Sequence, residues 1–302
     1  MYSIGVDIGG SHISSGMYGH MDKVLLPETL RYKKINTKES KEVILDSWVC
    51  AISKTIEEGG QKVEGIGIAM PGPFDYFQGI SLISAVDKLE ALYKINIRTE
   101  LAKRLEMDPS RIRFINDASA FSIAEALVGQ ATGFRRLAAI TLGTGLGSSF
   151  LIEGRPIINH AEVPTGGFLY DQLYRGKIAD EIFSTRGILS RYTEMSGSSA
   201  SNVRDLSERA ASDHVAREVF LSFGKELGRF LAPHLRKFGA EVLVIGGNIS
   251  KAYPLFIESL KEQLPKTQIQ VSELGEEAAI IGGALLLDET FYEDLIPALK
   301  LM

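Results

Sequence analysis

Short apolar runs alternate along the chain with longer segments in which apolar residues recur at helical spacing. The apolar runs predict strands at 2–8, 12–18, 65–70, 111–115, 137–140, 150–152 and 241–248. The helical segments lie at about 39–58, 98–107, 118–128, 212–238 and 276–287. Strands that alternate with helices in this way indicate an α/β protein with parallel strands in its sheets.

Two glycine-rich turns, at 7–12 and 141–149, each lie between an incoming and an outgoing strand. Glycine has no Cβ, so backbone N–H groups in such turns can approach phosphate oxygens and form a concave anion site. A single turn of this kind would usually only reverse the chain. Two copies, the first with a carboxylate before its glycines and the second with hydroxyls among them, predict a nucleotide held between two related lobes.

Composition narrows the class of protein. The composition, 45% hydrophobic and 24% charged, is typical of a globular protein. The length of 302 residues is enough for two lobes of ~150 residues each. The net charge of −5 disfavours a nucleic-acid partner. Because no apolar run reaches the ~18 residues of a membrane span and Met1 leads directly into a strand, we expect no membrane partner and a cytoplasmic location. Cys50 lies in a helical segment and is expected to be a buried apolar residue.

Asn116 and Asp117 follow the strand at 111–115, where open α/β sheets bind their ligands. An amide can hydrogen-bond two sugar hydroxyls, and a neighbouring carboxylate can accept the proton that a hydroxyl loses in phosphoryl transfer. The alternative is that these residues only cap the helix that begins at Ala118. The two roles are compatible.

Three further motifs occur along the chain, Pro71-Gly72-Pro73, Val244-Ile245-Gly246-Gly247 and Gly282-Gly283-Ala284. Together with Asp7-Ile8-Gly9-Gly10, Asn116-Asp117-Ala118 and the segment 141–147, they resemble in their order the ROK family of sugar kinases and repressors, within the actin, Hsp70 and hexokinase superfamily. The resemblance implies an α/β fold of the two-lobed actin-like ATPase (ribonuclease H-like) class, with duplicated mixed-sheet domains and an interlobe cleft. The N-terminal lobe would comprise 1–118 and 286–302, and the C-terminal lobe 119–285.

The resemblance also implies roles for individual residues. Asp117 would be the catalytic base, Asn116 would hold sugar hydroxyls beside Pro71 and Gly72, and Asp7 would orient the magnesium of Mg-ATP through water. The remaining implied roles are contact with the β- and γ-phosphates for Gly9, Gly10, Ser11 and His12, phosphate contact from the second lobe for Thr141, Gly143, Thr144 and Gly145, and an adenosine pocket formed by Gly246, Gly247 and Asn248. His12 stands where the family usually has lysine.

The chain departs from the family pattern in the sugar-binding region. Many members carry Gly-Glu-x-Gly-His followed by a cysteine-rich zinc loop, whereas here Pro164 and Gly167 take the glutamate and histidine positions. A short shift of the alignment would restore Glu162 as a sugar ligand. The glutamate expected near the anomeric carbon aligns with Asp180, and Glu181 is next to it. Because Cys50 is the single cysteine, we expect no zinc site.

The function expected from these motifs is ATP-dependent phosphorylation of a sugar hydroxyl by a glucokinase-like homodimer. The alternative is a sugar-binding sensor that kept the fold and lost turnover. A transcriptional repressor would need a DNA-binding segment ahead of the first strand, and that strand begins at residue 2. A P-loop or Rossmann enzyme is disfavoured because neither glycine signature occurs.

Overall fold

The computed structural model describes residues 1–84 and 88–302, which form two compact units. The N-terminal unit comprises residues 1–124 and 276–302, and the central unit comprises residues 125–275. Each unit contains one principal mixed sheet with helices packed against it. None of the helices in the described residues combines the length and the apolar composition that a membrane span requires.

The secondary structure follows chain order in both units. The strands are β1 (Tyr2–Ile8), β2 (His12–Gly19), β3 (Val24–Leu25), β4 (Arg31–Lys34), β5 (Val63–Met70), β6 (Phe74–Asp75), β7 (Ile80–Ser81), β8 (Ile112–Asn116), β9 (Arg136–Leu142), β10 (Leu146–Ile152), β11 (Arg155–Pro156), β12 (Leu173–Tyr174), β13 (Lys177–Ile178), β14 (Val242–Gly246) and β15 (Gln268–Val271). The helices are α1 (Lys41–Gly59), α2 (Ile97–Arg104), α3 (Asp117–Leu127), α4 (Ala179–Ile182), α5 (Thr185–Ser196), α6 (Val203–Arg209), α7 (His214–Phe238), α8 (Ile257–Lys261), α9 (Glu277–Leu285) and α10 (Glu289–Leu299).

The principal sheet of the N-terminal unit has the order β3-β2-β1-β5-β8, and β4 pairs with the first half of β2 on the same edge as β3. β1 and β2 form an antiparallel hairpin, while β1, β5 and β8 run parallel. The register aligns Asp7 with Ala69 and Ala69 with Ile115. The carboxyl ends of the three parallel strands therefore meet at one edge of the sheet.

The principal sheet of the central unit repeats this plan with the order β11-β10-β9-β14-β15. β9 and β10 form the antiparallel hairpin, and β14 and β15 extend it in parallel with β9. Helix α7 spans 25 residues and turns a long apolar face toward the core, where Phe220, Leu227 and Leu231 are fully buried. The segment 159–197, which has no strong periodicity in the sequence, contains the short pair β12-β13 and helices α4 and α5.

Helix α1 shows how the apolar period places residues on a surface. Ser40 caps its N-terminus by accepting a hydrogen bond from the Val43 amide, and Gly60 ends it in the left-handed conformation. Its buried residues, such as Trp48 and Ile52, recur at helical spacing. Cys50 falls between them on the outer face and is exposed, so the expectation that it is buried was wrong.

Helix α9 packs directly on β1 and β5, and its glycines make this possible. A Cβ on Gly283 would lie 2.6 Å from the carbonyl oxygen of Gly67 in β5, and a Cβ on Gly282 would overlap the carbonyl of Ala120 in α3. The glycines within this helix thus serve close backbone packing. Because of this packing, residues 276–285 belong to the N-terminal unit, whereas the sequence prediction assigned them to the second lobe with boundaries at 118/119 and 285/286.

Candidate active site

The acidic residues predicted for catalysis lie at the carboxyl edge of the sheet in the N-terminal unit. Asp7 is near the end of β1, and Asp117 begins α3 directly after β8. β5 separates these two strands, so their axes are about 10 Å apart by strand spacing. The sheet therefore presents two carboxylates to one region, beside the turn that joins β1 to β2.

The first glycine turn is closed by a hydrogen bond from the Gly9 amide to the His12 carbonyl, at 2.9 Å. The His12 ring lies over Gly9, where an added Cβ would overlap it, and stacks on Tyr32 with ring centroids 5.2 Å apart. His12 Nε2 is 3.8 Å from the Asp7 carboxylate. Asp7 raises the pKa of His12, and partial burial opposes this effect. His12 is thus held toward Asp7 within this turn.

Asp117 combines solvent access with an electrostatic setting suited to a base. Its side chain is exposed, and one carboxylate oxygen accepts a hydrogen bond from the Ala118 amide at 2.8 Å. Desolvation by the surrounding protein raises the pKa of Asp117, and the negative charge of Asp7 raises it further. The Ala118 amide and Lys88 act in the opposite direction. A raised pKa brings a carboxylate closer to the basicity that general-base catalysis at neutral pH requires.

Asn116 is buried and has fixed partners on both ends of its amide. Its side-chain oxygen accepts a hydrogen bond from the Ser119 amide at 3.2 Å, so it does cap α3. Its Nδ2 donates to the Tyr76 hydroxyl at 3.3 Å, and that hydroxyl donates to the Met70 carbonyl. A Cβ on Gly72 would lie 3.3 Å from the same hydroxyl. Tyr76, which the sequence reasoning missed, therefore joins the segment beginning at Pro71 to Asn116.

The second glycine turn, in the central unit, is stabilised by backbone and hydroxyl groups. The Gly143 amide donates to the Gly145 carbonyl, and the Gly143 carbonyl accepts from both the amide and the hydroxyl of Thr185, at 2.8 and 3.0 Å. A Cβ on Gly143 would meet no atom within 4 Å, so open space adjoins this part of the turn. Thr144 is exposed at the tip. Thr185, at the start of α5, has no motif around it that would have predicted this contact.

Asp180 lies against this same turn. Its carboxylate accepts a hydrogen bond from the Leu146 amide at 2.7 Å and lies 2.7 Å from a Cβ position on Gly145. Arg186 binds the other carboxylate oxygen at 2.9 Å. The structure therefore places Asp180 against the second glycine turn. Its predicted contact with sugar stays a prediction.

The glycines after β14 are also in contact with the second hairpin. Gly246 pairs with Thr141 in parallel register, and Gly247 has a φ of 82°. A Cβ on Gly247 would overlap the backbone of Leu142, so this position requires glycine for both reasons. Asn248 follows at the start of a short 3₁₀ segment. The predicted adenosine residues and the predicted phosphate turn are thus neighbours within one unit.

Two of the predicted sugar ligands have other surroundings. The Glu162 carboxylate forms an ion pair with Arg136, and His160 Nδ1 is 3.6 Å from it. Arg136 begins β9, at the end of the strand opposite the glycine turn. Glu181 is exposed and lines a cavity of about 410 Å³ together with Arg191 and Glu226. Their predicted contacts with sugar stay predictions.

The residues at the first hairpin fit the magnesium of Mg-ATP. Mg²⁺ is usually held by one or two carboxylates, waters and substrate phosphates, so a single partly exposed aspartate beside a phosphate turn suffices. The Asp7 side chain has 20% of its surface exposed at that place. Asp7 is therefore the residue that would hold the ion, and the predicted contact through water stays a prediction.

The family model of the ROK family matches residues 3–290. The chain belongs to the ROK family. This ROK protein is 27% identical over 319 residues to the glucokinase of Thermotoga maritima, with 95% of this chain and 97% of that protein covered. It is 25% identical over 310 residues to the N-acetyl-D-glucosamine kinase of Pectobacterium carotovorum, covering 93% and 97%. The family prediction is confirmed.

The fold prediction is confirmed as well. The structure matches that of a ROK hexokinase from Thermus thermophilus with a TM-score of 0.78 at 23% identity, covering 97% of this chain and all of the other. The ROK protein thus has the actin-like ATPase fold, which the repeated sheet plan of its two units reflects.

Proposed function

We propose that this ROK protein transfers the γ-phosphoryl group of ATP to a hydroxyl of a hexose. The observation that carries the proposal is the position of Asp117, an accessible carboxylate of raised pKa that begins a helix directly beyond the sheet edge next to Asp7. The curated relatives of similar length are named as kinases of glucose and of N-acetyl-D-glucosamine, which supports a hexose as the substrate class.

Asp117 acts as the general base. It accepts the proton of the sugar hydroxyl as that oxygen attacks phosphorus, and its elevated pKa matches this task. Its hydrogen bond from the Ala118 amide holds the carboxylate in one orientation. Proton transfer and attack therefore require little movement of this side chain.

Asn116 and Gly72 place the sugar. The Asn116 oxygen is used by the helix cap, and its Nδ2 retains one hydrogen beyond the bond to Tyr76, available to a sugar oxygen. Because Gly72 has no side chain, it leaves space beside the Tyr76 hydroxyl that a larger residue would fill. We assign Pro71 and Gly72 to the wall of the sugar pocket on this basis.

The glycine turns bind the phosphates. Gly9, Gly10 and Ser11 offer backbone N–H groups in the first turn, and residues 143–145 offer them in the second. Bound Mg²⁺ supplies positive charge that disperses the charge of the transferring phosphoryl group. Asp7 would hold that ion, while Gly246, Gly247 and Asn248 accommodate the adenosine.

The test is ADP release with Mg-ATP across glucose, mannose, fructose, N-acetylglucosamine, N-acetylmannosamine and allose. Asp117→Ala should lower the turnover number by about 10²-fold or more while binding of ATP persists. Asp22→Ala, in an exposed turn of the same unit, is the matched control and should retain full turnover. Asp117→Ala turnover within a few-fold of the parent would refute the base assignment.

The sensor alternative gives a different result in the same experiment. The Pro164 and Gly167 substitutions in the sugar region favour it. A sensor would bind a hexose and ATP without releasing ADP above the background of Asp117→Ala. The homodimer and the cytoplasmic location stay predictions, and gel filtration with light scattering tests the former.

A further inference from the structure

Phosphoryl transfer needs positive charge close to the group transferred, and the first hairpin supplies little of it. His12 stands at the position where a cation is expected, but its ring is stacked on Tyr32 and directed toward Asp7. A histidine paired with the carboxylate that holds magnesium contributes less net positive charge than a lysine. Another cation is therefore to be sought among the residues around the turn.

Lys88 lies over the same turn. Its Cδ is 3.4 Å and its Nζ 3.6 Å from the Cβ position of Gly10. The side chain is half-buried, and it approaches from the loop between β7 and α2, far from the glycine turn in sequence. Its ammonium group thus sits beside the backbone amides proposed to bind the β- and γ-phosphates.

The backbone next to Lys88 is tied to the turn through Thr37. The Thr37 hydroxyl donates to the Gly10 carbonyl at 3.2 Å, and the Thr37 carbonyl accepts from the Leu89 amide at 2.9 Å. Leu89 is itself fully buried. Gly10 and Lys88 are therefore held in proximity by hydrogen bonds and packing, so the approach of the ammonium does not depend on the side chain alone.

We propose that Lys88 is a further catalytic residue of this ROK protein, whose ammonium group binds the γ-phosphoryl oxygens of ATP above Gly10 and balances their charge during transfer. This inference rests on the proposed kinase function. It assigns to a residue of a distant loop the positive charge that position 12 supplies in the family pattern.

The charge of Lys88 also reaches Asp117. Lys88 lowers the pKa of Asp117, against the effects of desolvation and of Asp7. The same ammonium group is therefore near both the phosphate turn and the proposed base, the two places between which the phosphoryl group must move. A compact cation in this position favours the transfer geometry electrostatically.

The test measures nucleotide binding separately from turnover. Isothermal titration calorimetry compares Mg-AMPPNP with Mg-ADP for the parent, Lys88→Met, Lys88→Arg and Lys54→Met, the last being an exposed lysine of α1. Lys88→Met should weaken AMPPNP binding by about 10-fold and leave ADP binding within about 2-fold, because only the former carries a γ-phosphoryl group. Lys88→Arg should recover much of the loss, and Lys54→Met should match the parent.

Steady-state kinetics complete the test. With an active hexose, Lys88→Met should lower kcat by about 10²-fold, the scale of losing one transition-state donor. Equal losses for AMPPNP and ADP, no loss for either, or a rise confined to the KM of the sugar would overturn the proposal. If the parent phosphorylates no hexose and yet its γ-phosphate preference disappears in Lys88→Met, the kinase function and the catalytic role of Lys88 fail while its binding of the γ-phosphoryl group stands. Unchanged kcat in Lys88→Met with an active parent gives the reverse result.

Discussion

The first and second glycine hairpins have the same strand-turn-strand backbone but are stabilised by different means. Around the first turn, Asp7, His12 and Lys88 bring ionisable side chains close to the glycines. Around the second, the turn itself is held by Thr185 and by the Asp180 carboxylate, which binds a backbone amide. We infer from this comparison that the first hairpin carries the charge chemistry of the proposed reaction and that the second provides a rigid frame of amides.

The largest expected effect is a loss of stability when the rigid frame around the second hairpin is disturbed. Gly247→Ala should destabilise the protein by about 3 kcal/mol, because it adds backbone strain at φ 82° and overlap with Leu142. Urea unfolding measures this loss. Gly143→Ala is the matched control, since its Cβ would meet open space, and its unfolding midpoint should stay close to that of the parent. Similar midpoints for both variants would contradict the argument.

A substitution in the first hairpin, which carries the ionisable side chains, should change activity rather than stability. Asp7→Asn removes the carboxylate proposed to hold magnesium and should lower kcat/KM for Mg-ATP by about 10²-fold, with a higher Mg²⁺ requirement. Magnesium titrations at fixed ATP measure both quantities. Asp22→Asn serves as the control. A magnesium dependence identical to that of the parent would remove Asp7 from this role.

Substitution of Asp180 tests whether this residue serves the second hairpin or the sugar pocket. Asp180→Asn weakens the charged acceptor of the Leu146 amide and should raise the KM for ATP by about 10-fold. Glu181→Gln, one residue further and exposed, should leave that KM unchanged. If Asp180→Asn changes only the KM of the sugar, the role that the family resemblance implied for Asp180 is the correct one.

The smallest expected effect is a gain of protein stability when the charge of Asp117, the proposed base, is removed. The pKa of Asp117 is higher in the folded state than in the unfolded state. The stability that its protonated form contributes is therefore complete below the unfolded-state pKa, and it is lost as the pH rises through the folded-state pKa. Asp117→Asn should therefore raise Tm at pH 7 by roughly 2 °C, since the accessible carboxyl contributes at most about 1 kcal/mol.

This gain should shrink as the pH falls toward 4, because the parent then regains its proton. In the same range the kcat/KM of the parent should decline at a higher pH than an ordinary aspartate would cause. Thermal melts at several pH values compare the two proteins. A stability difference that does not vary with pH would place its cause outside Asp117 ionisation.

Local patterns in the sequence determined the element types, the two glycine hairpins and the position of Asn116-Asp117 at a strand end. These features depend on residues close together in the chain, such as a helical apolar period or a glycine turn between strands. The same locality explains the error at Cys50. Apolar character predicted burial, but the phase of α1 set by Trp48 and Ile52 placed the thiol outside.

Only the tertiary structure decided which distant side chains complete each hairpin. Lys88, Tyr76 and Thr185 belong to no motif, and their partners lie 40 to 78 positions away in the chain, so strand register and loop packing alone bring them to Gly10, Asn116 and Gly143. Glu162 is the opposite case. The motif pattern allowed it as a sugar ligand, but in the folded chain its carboxylate pairs with Arg136. Local sequence specifies backbone shape, whereas the charges around a site depend on long-range contacts that no local pattern encodes.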